Sequence, residues 1–94
     1  MKNSVILDFP SSITYLAGYK YGQDIYEEQI LNKVNIHDQF GLEFPDNIKG
    51  VAASFVQGLF SEIVKQIGLK NTEDRLNIIS IQEGLADSII KRLQ

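Results

Sequence analysis

The stretch Ala53–Ile67 constrains the fold most strongly, because its apolar residues recur with the spacing of one helical face. They stand at positions i, i+3, i+4 and i+7, which is the pattern of a helix packed on a sheet: Val56, Leu59, Phe60, Ile63 and Ile67. The opposite face is predicted to be polar and exposed: Ser54, Gln57, Gly58, Ser61, Glu62 and Lys65. Gly68 is a natural stop at the C-terminal end of this helix.

Three further stretches are typical of β-strands. Val5–Phe9 and Phe40–Phe44 alternate apolar with other residues, and Leu76–Ile81 is rich in β-branched residues. Pro10-Ser11-Ser12 is a turn signal, so Ile13–Leu16 is predicted to form a hairpin with the first strand. The alternation in Phe40–Phe44 indicates that one face of the sheet is packed and the other is partly solvated.

Two more helices are predicted, at Gly22–Val34 and Glu83–Leu93. Strands that alternate with helices favour parallel pairing through right-handed crossovers. The predicted fold class is therefore α/β, with a small mixed or mostly parallel sheet and helices mainly on one face. A chain of 94 residues has room for one core, so a single domain over 1–94 is expected.

Composition excludes several classes of function. The chain contains no cysteine, which rules out disulfides, thiolate zinc sites and cysteine nucleophiles. No run of about 18 apolar residues is present, so we expect no membrane span and a cytoplasmic location. The net charge is −3 and the nine cations are scattered, which argues against nucleic-acid binding. So small a domain can still need a protein partner or a second copy to cover apolar surface, which leaves a homodimer open.

Three segments resemble a known family: Gly18–Leu31, the stretch Leu42–Leu69 with its Ala-Ser-Phe before an amphipathic helix, and Asp74–Ile79. The resemblance is to the bacterial STAS-like domains of uncharacterised function, and it extends over roughly residues 5–93, with Leu42–Leu69 as its most specific part. It implies a sheet backed by helices, related to the anti-sigma-factor antagonist fold. Ala53 departs from the family pattern, which often has a serine there.

The resemblance also implies a function. Relatives of this fold are non-enzymatic regulatory switches that bind a histidine-kinase-like ATPase, and some are phosphorylated on a serine at a helix start. STAS-like members are often encoded beside such ATPases in bacterial and mobile-element genes. Because fold alone does not determine function, this implication is an analogy.

Ser54 is the candidate site residue, since it stands at or just inside the start of the strongest helix. Its hydroxyl has two interpretations: a cap for backbone N–H groups, or a phosphoacceptor whose phosphate meets the positive end of the helix. Gln57, Gly58 and Ser61 are predicted to extend this position into a partner face. Gly58 has two interpretations: a flat spot for close approach of a partner, which would offset the cost of glycine in a helix, or a glycine that the helix simply tolerates.

The four tyrosines have two interpretations. Tyr15, Tyr19, Tyr21 and Tyr26 cluster before and within the first predicted helix. Tyrosine is enriched at interfaces because it buries area while keeping a polar tip, but a small domain also needs some of these rings in its core.

The alternative function is a small enzyme or ligand-binding domain that uses strand-end acids, namely Asp8, Glu43 and Asp46, with the single histidine, His37. It requires a concave pocket with convergent polar groups. One histidine without a second His or Cys does not make a usual zinc site, so no metal, cofactor or catalytic residue is predicted. A stand-alone inhibitor protein encoded by a mobile element is a third hypothesis.

Overall fold

Parallel strands form both sheets of the structure, a computed structural model that describes residues 2–94. Met1, the first residue of the predicted domain, lies outside the described residues. The elements are, in chain order, β1 (Ser4–Ile6), β2 (Tyr15–Leu16), α1 (Tyr19–Ile25), a π-helix (Tyr26–Ile30), β3 (Phe40–Glu43), β4 (Gly50–Val51), α2 (Ala53–Ile67), α3 (Leu69–Arg75), β5 (Leu76–Ile79) and α4 (Leu85–Leu93).

The larger sheet has the strand order β1-β3-β5 and the smaller one pairs β2 with β4. Every pairing is parallel, with Val5 opposite Leu42 and Leu42 opposite Ile78 in the larger sheet. The predicted α/β class and mostly parallel sheet are confirmed.

The predicted hairpin between the first two strands is wrong. Tyr15 and Leu16 pair in parallel with Gly50 and Val51, a strand that the sequence analysis did not identify. β1 is an edge strand that pairs with β3, and β2 pairs instead with β4, the strand that directly precedes α2.

The core lies between one face of the larger sheet and the helices. Every phenylalanine of the chain is buried there, and α2 contributes Phe55, Val56, Leu59, Phe60 and Ile63. Four of the five residues on the apolar face predicted for Ala53–Ile67 are therefore buried and Ile67 is half-buried, and the helix has the predicted bounds. On the opposite face of the sheet, Ile6 is 68% exposed.

The first predicted helix, Gly22–Val34, differs from the observed one. The helix begins earlier, at Tyr19, changes to π geometry at Tyr26 and ends at Ile30. A left-handed Asn32, with φ of 64°, follows this end. Because α1 begins before Gly22, this glycine lies inside the helix, where it faces α2.

Candidate functional site

Ser54 lies at the second residue of α2 and is exposed. Its Oγ accepts a hydrogen bond of 3.0 Å from the backbone N–H of Gly18. Gly18 is the N-cap residue of α1, so this bond joins the starts of the two helices. The interpretation of Ser54 as a cap for α2 is wrong, because Ala52 is the N-cap residue and no side chain of residues 2–94 caps this end.

The N-terminal end of α2 therefore presents backbone donors without a capping side chain. Val56 is the first residue of this region whose N–H reaches a carbonyl of the same helix, that of Ala52 at 3.2 Å. The N–H groups of Ala53, Ser54 and Phe55 lie so close to the start of the helix that no carbonyl of the same helix can accept their hydrogen bonds. Together with the helix dipole, such donors favour an anion beside Ser54.

Three of the four residues of the predicted partner face lie along one solvent-facing strip of α2. At 100° per residue Ser54, Gln57 and Ser61 share one side of the helix, and we call these three residues the α2 strip. Ser54 and Gln57 are exposed, and Ser61 is half-buried with its Oγ donating to the Gly58 carbonyl at 3.2 Å.

Gly58 does not belong to this exposed strip, and its assignment to the partner face needs correction. It is buried, and a Cβ added there would lie 2.0 Å from the carbonyl oxygen of Tyr19. Gly22 is its counterpart on α1, since a Cβ there would lie 2.3 Å from the Phe55 oxygen. Close backbone approach does occur at Gly58, but the neighbour is α1 of the same chain.

The four tyrosines divide between the surface and the interior. Tyr15 is 58% exposed and Tyr19 is 47% exposed. Tyr21 packs against Phe9 and Phe55, with ring centroids 6.3 and 5.5 Å away. Burial raises the pKa of Tyr21, and the nearby Glu28 carboxylate adds to this increase.

Tyr26 is the most buried of the four, with 5% of its surface exposed. Burial raises the pKa of its phenol, a hydrogen bond with Gln66 partly opposes that rise, and the Glu62 carboxylate adds to it. The interior pair thus belongs to the packing, whereas Tyr19 is exposed at the start of α1, and its backbone contacts Gly58 of α2.

Two shallow hollows lie on the helical side of the domain. The first, of about 220 Å³, lies between the first helical segment and α2, and Tyr26, Glu27, Ser61 and Gln66 are among its lining residues. The second, of about 180 Å³, includes His37 in its lining.

The strand-end acids Asp8, Glu43 and Asp46 do not line either hollow. The hydrogen bonds at Asp8 involve its backbone, which is bound on both sides by the Gln29 amide at 2.6 and 2.8 Å. The arrangement that the ligand-binding alternative requires, a pocket with these acids converging on it, is not formed by the hollows described.

Metal sites and membrane-spanning helices each require particular groups of residues. Among residues 2–94, no group of three or more His, Asp or Glu side chains is arranged to hold a metal ion. No helix in the same range has the length and apolar character that crossing a membrane requires.

The order of strands and helices, with α2 packed on a parallel sheet, can be compared with known families. A model of the family described as a STAS-like domain of unknown function (DUF4325) matches residues 21–85 of the 94-residue chain. The chain belongs to this family. Such STAS-like domains are in general regulatory modules that mediate protein interactions without catalysis. No curated protein and no solved structure gives a significant match.

Sequence reasoning missed the contribution of the Gly18–Tyr19 segment to the site. This segment bonds to Ser54 and packs over Gly58, so it lies against the first turns of α2. The available signal was the Gly-Tyr-Lys-Tyr-Gly sequence, in which Gly18 has φ of 107° and Gly22 allows the helices to touch.

Proposed function

We propose that this STAS-like chain acts as a single-domain regulatory module of the bacterial cytoplasm, which binds the histidine-kinase-like ATPase domain of a partner protein. The docking surface is the α2 strip together with Tyr19. Ser54 is proposed as the phosphoacceptor that controls this contact. The observation that carries the proposal is an exposed serine at an uncapped helix start, bonded to the neighbouring helix.

The composition of the surface supports protein docking. Tyr19, with 47% of its surface exposed, offers apolar area with a polar tip. Gln57, which is also exposed, offers both a donor and an acceptor. Tyrosine is among the residues that most often carry the binding energy near the centre of an interface.

Phosphorylation of Ser54 would change both the charge and the bonding of this surface. A phosphate adds about −1.5 to −2 charges at pH 7 and three strong acceptor oxygens. The uncapped N–H groups at the start of α2 are donors that such oxygens can use. A partner that packs closely on the unmodified strip then meets a solvated dianion, which weakens docking.

The experiment is a binding titration with a partner captured from the source cells and then purified. Ser54→Asp should weaken binding at least about tenfold. A charge that is buried in the interface without a partner, or against a charge of the same sign, costs more than about 1.4 kcal/mol. Ser54→Ala removes only the bond to Gly18 and should bind within a few-fold of the wild type. Ser12→Asp is the matched control, since it adds the same charge at another exposed serine.

Thermal melts accompany each titration, so that a loss of folding is separated from a loss of docking. Unchanged partner affinity for folded Ser54→Asp would contradict the switch. If Tyr19→Ala and Gln57→Ala both bind the partner as tightly as the wild type, the proposed docking surface is wrong.

A further inference from the structure

Among residues 2–94, the sheet face that points away from the helices carries exposed side chains on both of its edge strands. Cross-strand register places Ser4, Gly41 and Asn77 in one row and Ile6, Glu43 and Ile79 in the next. We call these six residues the open face. Ile6 is 68% exposed and Ile79 is 37% exposed, while the buried side chains of the same strands, such as Leu42, project from the opposite face.

An uncovered face is unusual for a sheet of this kind. All-parallel sheets occur almost only where both faces are covered by other structure. The hydrophobic character continues beyond the strands, because Ile81, two residues after β5, is 74% exposed. Three exposed isoleucines around one end of a small sheet are typical of an interaction site rather than of scattered surface residues.

At the carboxyl-terminal end of this face the charged residues, Glu43 and Asp8, are both acidic, whereas Lys2 lies at the other end of β1. Glu43 is half-buried on the central strand, directly between Ile6 and Ile79 across neighbouring strands. Asp8 continues the β1 alternation beyond Ile6 and is exposed, while its neighbours Leu7 and Phe9 are buried. The carboxyl-terminal end of the open face is therefore apolar with an acidic centre.

This charge selects among possible occupants. A second copy docked by a two-fold axis would bring the two Glu43 carboxylates towards each other, and like charges in an apolar interface are strongly unfavourable. A segment of another protein that carries a cation between apolar side chains would form an ion pair with the Glu43 carboxylate and would also cover Ile6 and Ile79.

We propose that the open face is a second docking surface, which binds an amphipathic segment of another protein carrying a lysine or arginine flanked by apolar residues. It lies on the opposite side of the sheet from the core that α2 covers. It is therefore separate from the α2 strip, and the domain can connect two partners. Glu43 gives the site its preference for a basic segment, and Ile6 and Ile79 supply the apolar contact.

The probe is a phage-displayed random peptide library selected on the folded chain, followed by titration of the synthetic peptides obtained. Selected sequences should contain lysine or arginine next to apolar residues. Glu43→Gln and Ile79→Ser should each weaken their binding about tenfold. The matched controls are Glu83→Gln, which removes an exposed carboxylate elsewhere, and Leu69→Ser, which alters a side chain with 39% exposure on α3.

Each outcome decides the proposal. Binders without basic residues, binders insensitive to both open-face substitutions, or no binders at all would overturn it. A stable dimer in sedimentation that Ile79→Ser dissociates would also overturn it, because a second copy would then be the occupant. The variant Ser54→Asp should bind the same peptides as the wild type, so failure here is distinguishable from failure of the α2 strip.

Discussion

Replacing Gly58 with alanine tests the packing that brings α1 against α2. A Cβ at this position would lie 2.0 Å from the carbonyl oxygen of Tyr19 and 2.8 Å from its carbonyl carbon. Contacts shorter than 3.0 Å are essentially never tolerated, so the two backbones must separate by at least 1 Å. Both obstructing atoms belong to the backbone, which cannot move aside as a flexible side chain would.

The magnitude follows from two opposing effects. Alanine in place of glycine stabilises a helix interior by about 1 kcal/mol. Overpacking a closely packed site costs roughly 1–3 kcal/mol, and more where the backbone must shift. We therefore expect a net loss of about 1–2 kcal/mol, equivalent to a fall in melting temperature of about 5–15 °C for a domain of this size.

The assay is urea unfolding followed by far-ultraviolet circular dichroism. Gln57→Ala, at the neighbouring exposed position of α2, is the control and should change stability by less than about 0.5 kcal/mol. If Gly58→Ala raises stability by about 1 kcal/mol, as at an exposed helix position, then α1 does not lie over Gly58.

Two further predictions concern stability. Burial raises the pKa of Tyr21 and of Tyr26, so the stability that their neutral phenols contribute is present below about pH 10 and is lost as the pH rises through the folded-state pKa values. Thermal melts from pH 8 to 11 should show this fall in stability. A fall of the same size in Tyr26→Phe would contradict the role of Tyr26. Asn3→Ala should lower the free energy of unfolding in urea by about 1–3 kcal/mol, because the Asn3 side-chain amide makes three hydrogen bonds of 2.8 Å to the backbones of Asn35 and Gln39. Lys2→Ala is the control. If both variants lose the same free energy of unfolding, these bonds do not stabilise the fold.

The helix α2 was predictable because its pattern is long and periodic. Fifteen residues repeat the helical spacing, Gly68 ends the pattern, and the observed bounds are Ala53–Ile67. The central strand at Phe40 was predictable for the same reason, as alternation over four or five residues defines both its type and its buried face.

Shorter elements have too little pattern to be found from sequence. The strand Gly50–Val51 has two residues, and its partner is 35 positions earlier in the chain, so only the folded structure defines the pairing. The helix Leu69–Arg75 is mostly polar and directly follows Gly68, which the sequence analysis took as a final stop. Its buried Thr72 donates to the Gly68 carbonyl at 2.8 Å.

The position of Gly58 shows a different limit. Periodicity separates the apolar face of a helix from the polar one, but it does not show which part of the polar face a second helix covers. The neighbouring backbone of Tyr19 decides that outcome. Ser54 was correctly placed near a helix start, whereas its bond to Gly18 depends on a contact 36 residues away.

Site-specific photocrosslinking in the source cells tests the central claim most directly. A photoreactive side chain replaces Gln57 in the α2 strip, and the control places it at Lys33, which is exposed beyond the π-helix. We expect position 57 to capture one ATPase-domain protein, with the yield falling when Ser54→Asp is added. Equal capture at both positions, or capture at 57 that Ser54→Asp leaves unchanged, would contradict the account.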